Sequence, residues 1–290
     1  MDLPTLLDGL GAPAERLIDR HLTSARDWYP HELVPWSRGR DFVDGEFWSA
    51  KDWPLEPKLR SALVLNLLTE DGLPYYVAGL HQLLGERSPW FDWLRRWTAE
   101  EMRHATALRD YLVVTRAVDP IRLEQARMRY CAHADIPHAP NALEAFVYLA
   151  IQELATRTAH WRTGELLPDP EGQRLMRRVA ADENLHHLFY RDLVAAALDL
   201  SPSEVIIAID NQVRHFRMPG HAIPEFNALT ADVAAAGIYS LTDYVEEIVE
   251  PLVSTHWVCT ADCGLSSTAR AARQRTTDFI ERTRRIARRL

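Results

Sequence analysis

Two Glu-x-x-His pairs, each set at nearly the same distance behind another glutamate, limit what this chain can become. Glu101 and His104 form one pair, Glu183 and His186 the other, and no further Glu in the chain has His three residues after it. Glu70 precedes the first pair by 31 residues and Glu153 precedes the second by 30. Residues three apart on a helix share a face, so each pair offers a carboxylate and an imidazole to one point. A single pair arises by accident on surface helices, and the doubling is what carries weight. Two helical hairpins, each giving one Glu and one Glu-x-x-His, supply the ligand set of a carboxylate-bridged dimetal centre in a four-helix bundle. The expectation is an all-α chain with Glu70, Glu101, His104, Glu153, Glu183 and His186 gathered in the bundle core.

Neighbouring residues compete for these roles. Glu100 points about 100° away from Glu101 and is expected to face solvent or to lie behind the ligands. His187 is four residues from Glu183 and turns to a different face. Asp182, four before His186, is a carboxylate that could accept the outer N–H of a metal-bound imidazole. Glu153 interrupts an apolar helix face, where an unpaired carboxylate is costly. Thr156 lies beside it, one turn on. A helix threonine commonly bonds back to a carbonyl, and that is the plain alternative to a functional role.

Composition excludes several classes. Charged residues are 26% and apolar residues 47%, as in ordinary globular proteins. The net charge of −8 argues against a general nucleic-acid binder. No apolar run approaches a membrane span, and the N-terminus reads as no secretory signal. Cys131, Cys259 and Cys263 are expected as reduced thiols of a cytoplasmic protein. They cannot hold an iron–sulfur cluster, so electrons for redox chemistry must come from outside.

The pattern places helices at about 14–22, 57–70, 93–114, 121–133, 141–164, 171–200, 203–217, 225–237, 241–257 and 269–290, in one domain over 1–290. Residues 23–50 read as irregular, because Pro30 and Pro35 keep their predecessors extended. Gly72 and Pro74 predict a kink or an unwound turn just after Glu70. His133 and His138 read as surface residues. Residues 269–290 hold eight Arg against Asp278 and Glu281, a basic end on an acidic chain. It is either a solvated face or a docking surface for an acidic partner.

At Thr69–Tyr76, Trp97–His104, Gln152–Thr156 and Ala180–His186 the chain resembles the soluble acyl-acyl-carrier-protein desaturases, ferritin-like diiron enzymes. The similarity continues through Met218-Pro219, Gly237–Ser240, Gly264–Ser266 and the Arg-rich end. The resemblance implies a ferritin-like four-helix bundle with additional helices and a dimetal centre in its core. It implies the six named residues as ligands of two Fe ions, with O2 as co-substrate and a carrier-bound acyl chain as substrate. Thr156 matches a threonine beside the oxygen-binding face. Trp28 and Asp182 match residues that lead electrons toward His104. Arg285, with Arg284 beside it, matches a site for the acyl carrier protein. A ferredoxin donor and a homodimer are further implications. Leu154 stands where plant members carry arginine, the loop before Glu171 is short, and the N-terminal segment is compact. These departures bear on chain length, carrier and bond position.

Other chemistry uses similar ligands. A ferritin-like iron store would need neither an acyl tunnel nor a basic docking end. A ribonucleotide reductase radical subunit would need a tyrosine beside the metals, and Tyr111 and Tyr190 each lie two turns from a ligand. A diiron oxygenase acting on a carrier-bound polyketide or aminoacyl group shares the whole ligand pattern.

Overall fold

The computed structural model describes residues 3–53, 55–133, 136, 138–257 and 264–289. Cys259 and Cys263 fall outside them, and Cys131 is an exposed free thiol.

Among the described residues the chain is helical and contains no strand. Two short helices, α1 (Leu3–Gly9) and α2 (Gly11–Ser24), lead into a mostly irregular stretch containing α3 (Pro30–Leu33) and a 3-10 turn at Trp36–Arg38. The bundle follows with α4 (Pro57–Glu70), α5 (Leu73–Leu84), α6 (Trp90–Val114), α7 (Pro120–His133), α8 (Ala142–Leu166) and α9 (Pro170–Leu200). The chain closes with α10 (Pro202–His215), α11 (Phe226–Ala235), α12 (Leu241–Asp243) and α13 (Ser267–Ala287). The helix expected over 241–257 departs from α-geometry. After α12 it widens into π-helical turns at Tyr244–Val249 and Leu252–His256, on either side of Pro251. Proline has no N–H to give, and a wider turn lets the ladder resume beyond it.

The break after Glu70 has a clear local cause. α4 ends there, Asp71 and Gly72 form a turn, and α5 begins at Leu73 with Pro74 in its first turn, where its missing N–H costs nothing. The Tyr76 hydroxyl donates to the Thr69 carbonyl at 3.1 Å, and Arg127 grips Asp71 with Nε at 2.6 Å and Nη2 at 2.8 Å. The chain end that carries Glu70 is thus held from both sides.

Side chains sort into layers along the bundle. Trp93, Trp97, Phe146, Ile151, Phe189 and Tyr190 belong to one buried apolar cluster. Leu63, Leu67, Leu108, Leu112, Leu175 and Val179 belong to another. Between them on α6 come Glu100, Glu101 and His104; on α8, Glu153, Thr156 and His160; on α9, Asp182, Glu183 and His186. All nine are buried. The order of the clusters along each helix shows that α6 and α8 run one way and α4 and α9 the other. α7 carries the chain between the two parallel members, a crossover of the ferritin-like kind.

Short connections fix the neighbours. Only three residues separate α8 from α9, which makes the pair antiparallel. A Cβ on Gly164 would lie 2.7 Å from the Met176 Cβ, so the helices meet there at glycine distance. Asp169 caps α9 by accepting from the Gly172 N–H at 2.9 Å, and it also accepts from the Tyr111 hydroxyl at 2.6 Å. That second bond pins the start of α9 to the end of α6.

Candidate metal centre

Six side chains from four helices converge in the polar layer. His104 Nδ1 lies 3.4 Å from Glu101 Oε2, 3.3 Å from Glu183 Oε1 and 3.6 Å from Glu70 Oε2. His186 Nδ1 lies 2.8 Å from Glu101 Oε1, 3.8 Å from Glu183 Oε2 and 3.8 Å from Glu153 Oε2. Glu101 and Glu183 therefore turn one oxygen to each imidazole, as bridging carboxylates would. Glu70 stands at the His104 end alone and Glu153 at the His186 end. The result is two overlapping four-residue groups, each with its ligand atoms within 4.8 Å of one another.

The residues fit a pair of divalent cations. Glu101 Oε1, His104 Nδ1, Glu153 Oε2, Glu183 Oε2 and His186 Nδ1 are buried without a hydrogen-bond partner. Glu101 Oε1 and His186 Nδ1 are close, yet not aligned as donor and acceptor. These atoms point at shared positions rather than at one another. Four carboxylates with two neutral imidazoles sum to four negative charges, which two divalent ions would balance. Without them the burial of so many like charges is expensive.

Titration in the metal-free chain reflects this frustration. Burial and the Glu183 charge push the Glu153 carboxyl well above its usual range, and they raise Glu101 in the same way. Burial also works against ionised Glu183, but the neighbouring His104 and His186 imidazoles outweigh it and hold that carboxyl well below. Both imidazoles are raised well above the ordinary histidine value. For His104 the Glu101 charge overcomes burial, and for His186 the Glu100 hydrogen bond does so.

Behind each imidazole sits a carboxylate from the opposite hairpin. Asp182, next to Glu183 on α9, approaches His104 Nε2 at 3.4 Å and accepts from Trp28 Nε1 at 2.7 Å. Glu100, next to Glu101 on α6, pairs with His186 Nε2 at 2.9 Å. With Nε2 protonated toward the carboxylate, each ring presents Nδ1 to the metal side. Asp182 partners His104, the side the resemblance implied, because its carboxylate reaches across from α9 to α6. Of the two places open to Glu100, solvent or behind the ligands, it takes the second, because α2 covers the face it occupies.

Residues 4–290 match the family described as fatty acid desaturase. The chain belongs to that family. DesA1 of Mycobacterium tuberculosis, named an acyl-(acyl-carrier-protein) desaturase, is 38% identical over 258 residues, covering 86% of this chain and 76% of its own. A rice protein named chloroplastic stearoyl-(acyl-carrier-protein) 9-desaturase 1 is 32% identical over 282 residues, covering 90% and 74%. The X-ray structure of DesA2 from M. tuberculosis superposes with a TM-score of 0.74 at 28% identity, covering 89% of this chain and 97% of that one.

The remaining candidate residues of this desaturase-family chain fall as follows. Thr156 is buried beside Glu153, and its hydroxyl bonds back to the Gln152 and Glu153 carbonyls, each at 3.1 Å. Trp28 is buried against His104, ring centroids 6.3 Å apart, with the Arg103 guanidinium over its ring at 5.0 Å. Arg285 is exposed, whereas Arg284 is half-buried and ion-paired with Glu250. Tyr111 is committed to Asp169, and the Tyr190 hydroxyl accepts from Trp93 Nε1 at 3.0 Å. His133 and His138 are exposed, as expected.

Sequence reasoning missed two buried histidines. His160 pairs through Nε2 with Glu70 Oε1 at 3.1 Å and lies 3.6 Å from Glu183 Oε1. Its place seven residues after Glu153, two turns along the same face, was the available signal. His21 pairs with Glu100 at 2.9 Å across 79 residues of sequence, and no local pattern announces it.

His187 is buried and turned away, with Nδ1 bound to the Ala150 carbonyl at 2.8 Å. Burial pushes its pKa down to about 4. The unfolded chain then takes up a proton near pH 6.5 that the folded one refuses until about 4. Stability is therefore lost as pH falls through that window, by about 3 kcal/mol at its acid end. Urea unfolding at pH 7 and pH 5 should show a smaller acid loss for His187→Gln than for the parent.

An apolar pocket abuts the His186 end. Tyr76, Leu80, Leu83, Tyr148 and Leu149 line it, together with Trp97 and Gln152. Trp97 Nε1 donates to Glu153 Oε1 at 3.2 Å, so one wall of the pocket is bonded to a candidate ligand. No described helix is long and apolar enough to cross a membrane.

Proposed function

We propose that the protein is a desaturase of carrier-protein-bound fatty acyl chains, using two Fe ions held by Glu70, Glu101, His104, Glu153, Glu183 and His186. The carrying observation is the convergence of buried, partnerless ligand atoms beside an apolar pocket. The names of the relatives support the substrate class. When bound, the iron pair would supply the oxidant, made from O2 and external electrons, that removing hydrogen from an unactivated methylene demands.

The chain's own residues do the rest. Glu101 and Glu183 hold the two positions at a fixed spacing, and Asp182 and Glu100 fix the imidazole planes. The pocket takes the apolar chain and excludes water from it. Trp97 keeps Glu153 turned toward the metal positions. The Trp28–Asp182–His104 series is a covered route inward for electrons from a ferredoxin. Arg285, with neighbouring α13 arginines, offers charge to an acidic carrier. A homodimer in the cytoplasm completes the reading.

The test is direct. Iron-loaded protein with a ferredoxin reducing system, O2 and a panel of acyl-carrier substrates should release acyl groups lighter by two hydrogens. A gain of one oxygen atom would instead assign the rival reading, an oxygenase acting on a carrier-bound polyketide or aminoacyl group. Iron oxidation with every chain unchanged would favour a ferroxidase.

Thr156 can give its hydroxyl proton to a neighbour only by releasing a carbonyl. Thr156→Val should leave metal content intact and lower turnover about tenfold, the worth of one hydrogen bond in a transition state. Unchanged turnover and unchanged coupling to O2 use would end that role.

A further inference from the structure

The two halves of the centre are completed by one short N-terminal stretch. Trp28 donates to Asp182, the carboxylate behind His104, at 2.7 Å. Seven residues earlier, His21 pairs with Glu100, the carboxylate behind His186, at 2.9 Å. The same Glu100 oxygen, Oε2, also pairs with His186 Nε2 at 2.9 Å, while Arg96 holds the other oxygen at 2.6 Å. His21 is 4% exposed, and Glu100 is its side chain's one hydrogen-bond partner among the described residues, with Nδ1 left bare. It lies parallel to His186, ring centroids 5.8 Å apart and planes 19° apart, and its edge meets Trp93 at 5.0 Å.

We infer that His21 is a positioning residue for the metal at the His186 end, the counterpart on α2 of Trp28 at the His104 end. The inference rests on the dimetal reading above. Glu100 stands between two basic side chains. His21 draws Oε2 toward the position from which it meets His186 Nε2, whereas Arg96 draws the carboxylate outward. Without His21, Arg96 alone sets the carboxylate, and the His186 ring loses the partner that fixes its plane and leaves Nδ1 bare. The loss falls on one half-site, because His104 has its own carboxylate and its own N-terminal partner. Outer partners of metal-bound imidazoles are worth about 10- to 100-fold in metal affinity.

The experiment is an anaerobic titration of the full-length metal-free protein with Co2+, followed by the visible absorption of the bound ion. The parent should take two Co2+ per chain. In His21→Ala one site should weaken about tenfold or more, with its absorption altered and the other site unchanged. His21→Asn, which keeps a donor near Glu100, should recover most of the affinity. Trp28→Phe should weaken the opposite site, so that His21→Ala and Trp28→Phe leave different residual spectra. Two parental sites in His21→Ala would overturn the inference, as would equal weakening of both without rescue by Asn. Should His21→Ala fail to fold, Glu100→Gln and His21→Asn decide it. One-site weakening in Glu100→Gln with milder loss in His21→Asn supports the role, and parental binding in both overturns it. A parent that does not take two Co2+ would instead sink the dimetal reading itself.

Discussion

Glu183→Gln is expected to cost the protein both metals at once. Glu183 sends Oε1 toward His104 and Oε2 toward His186, and it belongs to both candidate ligand groups. An amide keeps the shape but offers one weakly coordinating oxygen and an N–H that repels a cation. Bound Fe2+ should fall from two per chain to fewer than one, and desaturation by more than about 100-fold, since losing even an outer partner costs 10- to 100-fold. Metal analysis after desalting, beside the acyl assay, reads both effects. Glu153→Gln is the informative contrast. Glu153 reaches only the His186 end, so one metal should remain.

Metal loading itself should produce the second large effect, on stability and on protons. Each ion that binds only the folded chain stabilises it by about 2.7 kcal/mol at a concentration 100-fold above its Kd. For a chain of this size that raises Tm by roughly 4–5 °C per site. Protons must leave as the ions enter, because ligands bind as neutral imidazole and ionised carboxylate. His104, His186 and Glu153 all hold protons more tightly in the metal-free fold than in the unfolded chain. Their contribution to metal-free stability is present at low pH and is lost as pH rises through the raised values. Glu183 and Glu70 are lowered, so theirs is present above the ordinary carboxylate range and is lost as pH falls. Above the ordinary histidine value of 6.5 the metal-free form therefore weakens while metal affinity climbs. An indicator dye should register protons released on loading near neutral pH, and none when the ion is added to buffer alone. Equal Tm values with and without metal would contradict the fit of the site.

The six candidate ligands were legible in the sequence because helical periodicity is local. Spacing of three within α6 and within α9 sets which atoms share a face, and the offsets of 31 and 30 residues give each hairpin the same reach. The turn after Glu70 was legible for the same reason, since Gly72 and Pro74 act on their own neighbours. What the sequence by itself determined is therefore the four helices that carry the candidate ligands, their inward faces and the six side chains that meet there.

Only the tertiary structure decided which carboxylate stands behind which imidazole. Asp182 and Glu100 each cross to the other hairpin, and a pairing between helices depends on their rotation and height, which no periodicity encodes. α6 alone leaves Glu100 either facing solvent or behind the ligands, and it is buried because α2 packs over it. His21 and Trp28 reach the site across 79 and 154 residues of chain. The energy that favours those contacts is the satisfaction of buried polar atoms, a property of the assembled core rather than of any segment.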